Sequence, residues 1–580
     1  MNSRNSYLIN RSLGRFLLAS IATMAIMSIN STVDSVLMGQ LIGPAAVSAI
    51  QNALPVVGFI SGISMLLSSG ASIIASKALG RQDFDEAGSS ISVAFSSCLG
   101  IGLIISLLAG VLSPKLCVLL CQDEALYENT YKYLSVIIGG AFLLLLFNGM
   151  SIVIEAIGFP RLVSFATLST VIGNLICDIL YVKFFSMDIK GAAFATLTGT
   201  LIGVAALDIF VFRKRKELLI KPRFVGYFGM MGRNIQMGVP PFLANLALML
   251  LVFLCNYFIQ SVHGEAGVFV MSIGFSMIMF GQMISGGVQG AFLGIGGLLV
   301  AQRDYDGLRR LLKRGMVISC SFALLSVIVV LFLSGELALL FGATDPAVID
   351  LTGQGLPLIV TYNFSLCVIL PMMIIYQIND HFVISALSAV SLIFSLGTGF
   401  LLAKYLIGNI WLAFPIGTVL SIAFVLFCSI IAGKRSDKNA GFIHLIPVSA
   451  GGPGRLDISV SCDRNSVGEA VTSVREFLSG KTTDFKLTSI SHCIEELLLN
   501  YADHSTRTPK AYLDLSIICD RDEISFIIRD DGIPFDPVHT AYEDTNAGLR
   551  IVKEFMNDAS YSYSFGQNIT IMKWRQRQNE

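Results

Sequence analysis

Residues 162–185 read LVSFATLSTVIGNLICDILYVKFF, a tract long and apolar enough to cross a bilayer as a helix, with the carboxylate of Asp178 one turn beyond the carboxamide of Asn174. About 20 mainly apolar residues span the hydrocarbon core. An acid inside that core is costly unless it faces a bundle interior or water. Eleven further tracts of this kind lie near 14–38, 50–76, 89–113, 131–157, 191–212, 234–262, 266–299, 315–341, 352–378, 382–405 and 409–433. The body therefore reads as an all-α polytopic membrane protein of twelve transmembrane helices, with Pro55, Pro240, Pro241, Pro371 and Pro415 as candidate kinks. With 14% charged and 54% hydrophobic residues and no net charge, the chain is neither an ordinary soluble enzyme nor a disordered chain, and no basic stripe recommends a nucleic-acid partner.

Charge divides the chain. Residues 1–440 hold 26 Lys and Arg with 20 Asp and Glu, whereas the last 140 hold 14 and 20, so a membrane body precedes an acidic, soluble tail. We expect two six-helix lobes at 1–220 and 221–440, a linker at 441–454 and a tail domain at 455–580. The amino end, the even-numbered loops and the tail junction hold 21 basic residues against five in the odd loops, which places both termini and the tail in the cytoplasm. The polar, basic start MNSRNSYLINRSLGRF runs into a long apolar tract with no cleavage site, so the first helix is expected to be retained. The lobes repeat: Gly80-Arg-Gln-Asp-Phe-Asp-Glu recurs as Ala301-Gln-Arg-Asp-Tyr-Asp-Gly. A duplicated unit with an even number of crossings re-enters in the same orientation, a transporter-like arrangement with a cavity between lobes. The eleven cysteines form no CxxC pair and read as packing residues, Cys117 and Cys121 included.

Four acids fall in or beside apolar tracts: Asp34, Glu155, Asp178 and Asp208. Asp208 near Arg213 and Glu155 near Arg161 are read as residues reaching the membrane surface. Asp34 and Asp178 have no cation nearby in sequence. Asn174 and Asp178, spaced i, i+4, share one helix face and suit a dehydrated Na⁺ or a carboxylate that takes up a proton.

On Val33-Asp-Ser-Val-Leu-Met-Gly39, Gly80-Arg-Gln-Asp83, Ala156-Ile-Gly-Phe-Pro-Arg161, Asn174-Leu-Ile-Cys-Asp178 and Gly191-Ala-Ala-Phe-Ala-Thr196, the body resembles the multidrug and toxin extrusion (MATE) family over about residues 10–435. The resemblance implies cation-coupled antiport by alternating access, with H⁺ or Na⁺ as coupling ion and amphipathic, often cationic small molecules as substrates. It also implies a cation site at Asp34, Asn174, Asp178 and Thr196. Acids in the seventh and tenth helices, used in another branch, are absent from tracts 234–262 and 352–378.

In the tail, Leu456-Asp-Ile-Ser-Val reads as a strand, 465–479 and 484–503 as helices, and 511–517 and 523–530 as alternating strands, followed by a short helix and a final strand. Glu496-Leu-Leu-Leu-Asn500 sets Glu and Asn on one helix face, Asp530-Asp-Gly532 ends a strand in a turn, and Asn546-Ala-Gly-Leu-Arg opens a helix able to face phosphates. In this order they resemble the Bergerat-type, histidine-kinase-like ATPase fold, an α/β sandwich, and most closely the serine kinases acting as anti-sigma factors. The resemblance implies ATP and Mg²⁺ as cofactors, Glu496 as general base, Asn500 as Mg²⁺ ligand, Asp530 as adenine partner, and Gly532 and Gly548 at the nucleotide. Where that family carries several lid glycines, this chain has Thr545-Asn546-Ala547 before Gly548, which leaves a regulatory nucleotide-binding role and kinase action on a cytoplasmic protein target both open. The expected function is cation-coupled multidrug efflux at the cell membrane. Alternatives are a lipid-linked saccharide flippase and a membrane signalling kinase with the body as sensor.

Overall fold

A computed structural model describes residue 5 and residues 7–120, 124–214, 226–436, 454–504, 512–520, 523–538 and 558–575. The body is a succession of long helices, because in hydrocarbon each backbone polar group must be satisfied within its own segment. The first five are Tyr7–Leu41, Pro44–Gly80, Phe84–Leu107, the pair Glu124–Gly139 and Ala141–Ala156, and Pro160–Asp178. Asp188–Lys214 is the sixth, and the run Tyr227–Ala291 supplies the seventh and, beyond a break at Gly264 (φ 60°, ψ −144°), the eighth, which continues through the π segment Phe292–Gly296 to Ala301. Tyr305–Leu340, Pro346–Val360 with Tyr362–Ile378, Phe382–Leu402 and Ala413–Ser436 complete the series. Among the described residues ten helices, or eleven with the bent fourth pair, are long and apolar enough to cross a membrane. The first helix packs against the fifth and, through Leu17, Ser20 and Met24 beside Gly286, Gly287 and Gly290, against the eighth.

Two local expectations change. The fourth tract is not one rod: it bends by 58° at Gly140. The third ends at Leu107, after which Ala109–Leu120 forms a short separate helix. Cys117 is buried on that short helix, while Cys121 lies outside the described residues.

The internal duplication is visible in backbone detail. Asp83 and Asp304, 221 residues apart, cap the third and ninth helices by accepting the backbone N–H of Glu86 and Gly307, each at 2.9 Å. Each cap follows a residue with left-handed backbone, Gln82 (φ 59°) and Arg303 (φ 53°). The fifth and eleventh helices both end in π segments, Ile179–Phe184 and Ala403–Ile407. A side-chain cap contributes about 1 kcal/mol, so Asp83→Ala is expected to lower the thermal unfolding midpoint of the detergent-solubilised protein slightly. Asp304→Ala is expected to cost more, since Asp304 also holds the tail.

On the side that carries the tail, the lobes are closed. Lys77 Nζ pairs with Asp380 Oδ1 at 2.8 Å across the seam. The second and eighth helices touch so closely that a Cβ on Gly297 would lie 2.1 Å from Ser76 Oγ. At the other end, the cluster around Met38, Ala49, Ile137 and Ile189 contains first-lobe residues only, among the described residues.

Among the described residues the tail holds a five-stranded antiparallel sheet: β1 Arg455–Ser461, β2 Tyr512–Cys519, β3 Glu523–Asp530, β4 Asp558–Ser564 and β5 Gln567–Arg575, in the order β1-β2-β3-β5-β4. Strand β4 was not expected. The helices Arg464–Leu478 and Asp484–His504 cover one face, where Val460, Leu515, Phe526, Ile528 and Met572 join Val474, Ile494 and Leu498 in one core. The opposite face lies on the membrane body. Ile527, Ile569 and Ile571 belong to the body's own apolar core, and Arg529, 3% exposed, pairs with Asp304, 1% exposed, at 2.7 Å. Residues 441–453 of the expected linker and the short helix expected near 546–552 lie outside the described residues.

Candidate functional site

The first site lies inside the first lobe. Asn174 and Asp178 occupy one face of the fifth helix just before it slips into its π segment, a local widening that often marks functional positions. Asp178 is 0% and Asn174 5% exposed. The sixth helix is drawn against them at Gly199: a Cβ there would stand 2.5 Å from Thr170 O and 2.8 Å from Asn174 N. This approach sets Thr196, whose hydroxyl donates to Ala192 O at 3.1 Å, beside the fifth helix. Asp34 of the first helix reaches Asp178 across the lobe, and the hydroxyl of buried Tyr133 meets Thr196. Neither carboxylate oxygen of Asp178, nor the amide nitrogen of Asn174, has a hydrogen-bond partner among the described residues. The group within reach of Asp178 is thus a second acceptor. Two carboxylates so placed, one of them fully buried, favour a proton or a cation between them over a pair of bare charges.

The second site lies on the helix-covered face of the tail. Asp530, at the end of β3, is buried, and its Oδ1 accepts Gly532 N–H at 2.7 Å and Asn568 Nδ2 at 3.0 Å. Asn568 in turn donates to Ile533 O and accepts from Phe535 N and Tyr561 Oη, so one buried amide shapes the whole turn after β3. Asn500 donates to Glu496 O at 2.7 Å, with Glu496 Oε1 at 3.5 Å. The next residue, Tyr501, hydrogen-bonds Thr570 of β5 and packs edge-on against Phe535. The helix end, the β3 end and the start of β5 therefore converge. Nearby, burial and the charges of Asp530, Asp463 and Asp531 push the Cys462 thiol up to about 12. The Ser461 hydroxyl and the Ser466 backbone N–H hold Asp463, the cap of the helix Arg464–Leu478, down at about 2. Gly548 lies outside the described residues, as does the side chain of His504.

The MatE family profile matches residues 19–180 and 240–404, more than half of the chain. The chain belongs to the MatE family. The profile described as a histidine kinase-like ATPase domain matches residues 460–574 of this MatE protein. Multidrug export protein MepA of Staphylococcus aureus is 25% identical over 244 residues, 41% of this chain and 53% of that protein. MepA of Staphylococcus haemolyticus is 23% identical over 308 residues, 53% of this chain and 67% of its own. The chain spans about half the length of the first of these curated relatives. Among solved structures, a multidrug resistance MATE family transporter of the MOP superfamily in its outward-facing conformation superposes with a TM-score of 0.67 at 19% identity, covering 75% of this chain and all of that one. A MOP superfamily transporter from Pyrococcus furiosus gives 0.67 at 18%, with the same coverage. These likenesses establish the fold of the body.

Within this MatE protein the structure gathers Asp34, Asn174, Asp178 and Thr196 in one place, and on the tail it brings Asn500, Asp530 and Gly532 to one end of the sheet. Glu496 is half-buried one turn before Asn500. Sequence reasoning missed Tyr133 and gave Asn568 no role. Glu155 also differs from expectation: it turns inward, accepting from Ser20, and a Cβ on Gly290 would lie 2.6 Å from its Oε1. Asp208 is exposed near the tail-side end of the sixth helix.

Proposed function

We propose that this chain is a cation-coupled exporter of amphipathic, cationic small molecules, driven by H⁺ or Na⁺ at Asp34 and Asp178 and working in the cell membrane with both termini and the tail in the cytoplasm. The observation that carries this reading is a fully buried carboxylate, Asp178, facing a second carboxylate instead of a donor. Such a pair is discharged by a proton or neutralised by Na⁺, with Asn174, Thr196 and Tyr133 as surrounding polar groups. Since a ligand shifts a conformational equilibrium only by its differential affinity, coupling requires that cation binding favour the state in which the cationic substrate is held weakly. The first helix carries Asp34 and also reaches the tail, so neutralising the pair alters packing along that helix. The export of drugs by the related MepA proteins supports the substrate class. The test is movement of a fluorescent cationic dye in proteoliposomes of the full chain under an imposed pH or Na⁺ gradient. Dye movement that ignores both gradients would overturn the reading.

The tail we assign to ATP with Mg²⁺. Its residues fit the group: Asp530 is buried, aligned by Gly532 and Asn568, and presents a carboxylate suited to an adenine amino group. Asn500 would hold Mg²⁺ through its amide oxygen, and Glu496 would orient a hydroxyl or water. When bound, ATP supplies a γ-phosphate for transfer. Asp530→Asn replaces the acceptor oxygen needed by adenine with a donor, and a hydrogen bond to a charged group contributes about 1.5–3 kcal/mol. ATP affinity measured by calorimetry on the full chain is therefore expected to fall roughly 10- to 100-fold. Unchanged affinity would remove Asp530 from this role.

A further inference from the structure

The turn between β4 and β5 breaks a local rule. Its two central residues, Phe565 and Gly566, have φ of 59° and 71°, with Ser564 paired to Gln567, the pattern of a two-residue type I′ hairpin. Asn-Gly is the natural occupant of that turn, and a bulky residue at positive φ is an outlier. Conformational strain of this sort persists where the surroundings over-determine it, and it points to function. Phe565 is only 2% exposed. Its ring stacks on Phe16 of the first helix at 6.5 Å and rests on Gly294 of the eighth, where a Cβ would lie 3.2 Å from the ring. Its backbone meets the turn after the fourth helix, since a Cβ on Gly158 would stand 2.5 Å from Phe565 N. One residue of the tail thus touches the first lobe at two places and the second lobe at a third.

The same bridging recurs around the nucleotide residue. Asp530 lies between two residues that hold opposite lobes: Arg529 pairs with Asp304 and Gln302 of the second, at 2.7 and 3.1 Å, and Asp531 meets Arg11 and Arg15 of the first helix at 2.6 and 3.6 Å. Arg15 also donates to Gly566 O at 2.8 Å, and Gln567 donates to Ser12 Oγ at 2.6 Å. Opening the tail-side seam separates the first and fourth helices from the eighth and ninth, and cannot proceed with both sets of contacts intact.

We propose that the ATPase-like domain is a clamp across the two lobes, wedged by Phe565, and that nucleotide at Asp530 strengthens it. The clamp rests on contacts already described, and its nucleotide arm rests on the ATP reading above. Docking fixes the strand end on both sides of Asp530, so a nucleotide binding there has less to order. Reciprocity then requires that nucleotide favour the docked, tail-side-closed state.

The test uses the full chain in proteoliposomes or nanodiscs, with hydrogen exchange of residues 72–82 and 294–304 as the seam readout and gradient-driven dye movement as the second. Phe565→Asn suits the I′ turn and removes only the wedge, and Arg15→Gln attacks the contact from the body side, leaving the tail sequence untouched. Both are expected to raise seam exchange at least threefold and to speed dye movement, while β4 and β5 amides stay protected. MgATP is expected to slow seam exchange and dye movement in the parent but not in Phe565→Asn. Unchanged seam exchange in both variants, with the hairpin intact, overturns the clamp. ATP that binds the parent without slowing its seam overturns the nucleotide arm. If the parent moves no dye, the export reading fails while seam exchange still decides the clamp. If the parent binds no ATP, the nucleotide reading fails and the two variants alone decide.

Discussion

Asp178→Asn is expected to reduce gradient-driven dye movement on the order of 100-fold, the upper range for a coupling free energy of 1–3 kcal/mol. The carboxamide is isosteric and keeps the side chain seated between the fifth and sixth helices, but it cannot take up a proton or neutralise Na⁺. The carrier then loses the event that distinguishes its two states. Asp34→Asn should give the same loss, because either carboxylate alone lacks the partner that forces a proton or cation into the site. Misfolding would leave a different trace. Removing an uncompensated buried charge leaves thermal stability equal or higher, so both variants should keep or raise the unfolding midpoint. Full dye movement in both variants would sink the first-lobe site.

Arg529→Met is expected to loosen the tail from the body by roughly 3–5 kcal/mol, the cost of stranding one partner of a buried ion pair. Asp304 is 1% exposed and caps the ninth helix, so its charge has no route to water while the domains stay docked. A destabilisation of that size corresponds to more than a 100-fold rise in the undocked population, read as faster hydrogen exchange at the body-facing residues of β3 and β5. Asp304→Asn discharges the partner but preserves a good cap. Combining it with Arg529→Met should therefore recover most of the lost docking, because a buried pair replaced on both sides is often nearly neutral. Equal exchange in the single and double variants would mean that the pair does not hold the interface.

Much of this was legible without coordinates. The twelve tracts, the i, i+4 pair Asn174 and Asp178, and the acidic strand end at Asp530 are local patterns. Tyr133 was not legible: Tyr131-Lys132-Tyr133 reads as an interfacial aromatic belt, and only the fold sets its hydroxyl at Thr196. Strand β4 did leave a signal, Ala559, Tyr561 and Tyr563 alternating with serines, but its turn carries Phe-Gly where Asn-Gly marks a hairpin. The run Phe526-Ile527-Ile528 also breaks the alternation of a half-exposed strand, the mark of one buried on both faces.

By itself the sequence determined a twelve-helix body in two related halves, acids inside it and an α/β tail, because hydropathy, helical spacing and turn chemistry depend on neighbours a few residues away. Tertiary structure alone decided that Asp34 faces Asp178, that Glu155 turns inward to Ser20, and that the second face of the tail's sheet lies on the body through Arg529, Asp304 and Phe565. Those pairings join positions well over a hundred residues apart, and packing between whole elements selects them where local preference cannot.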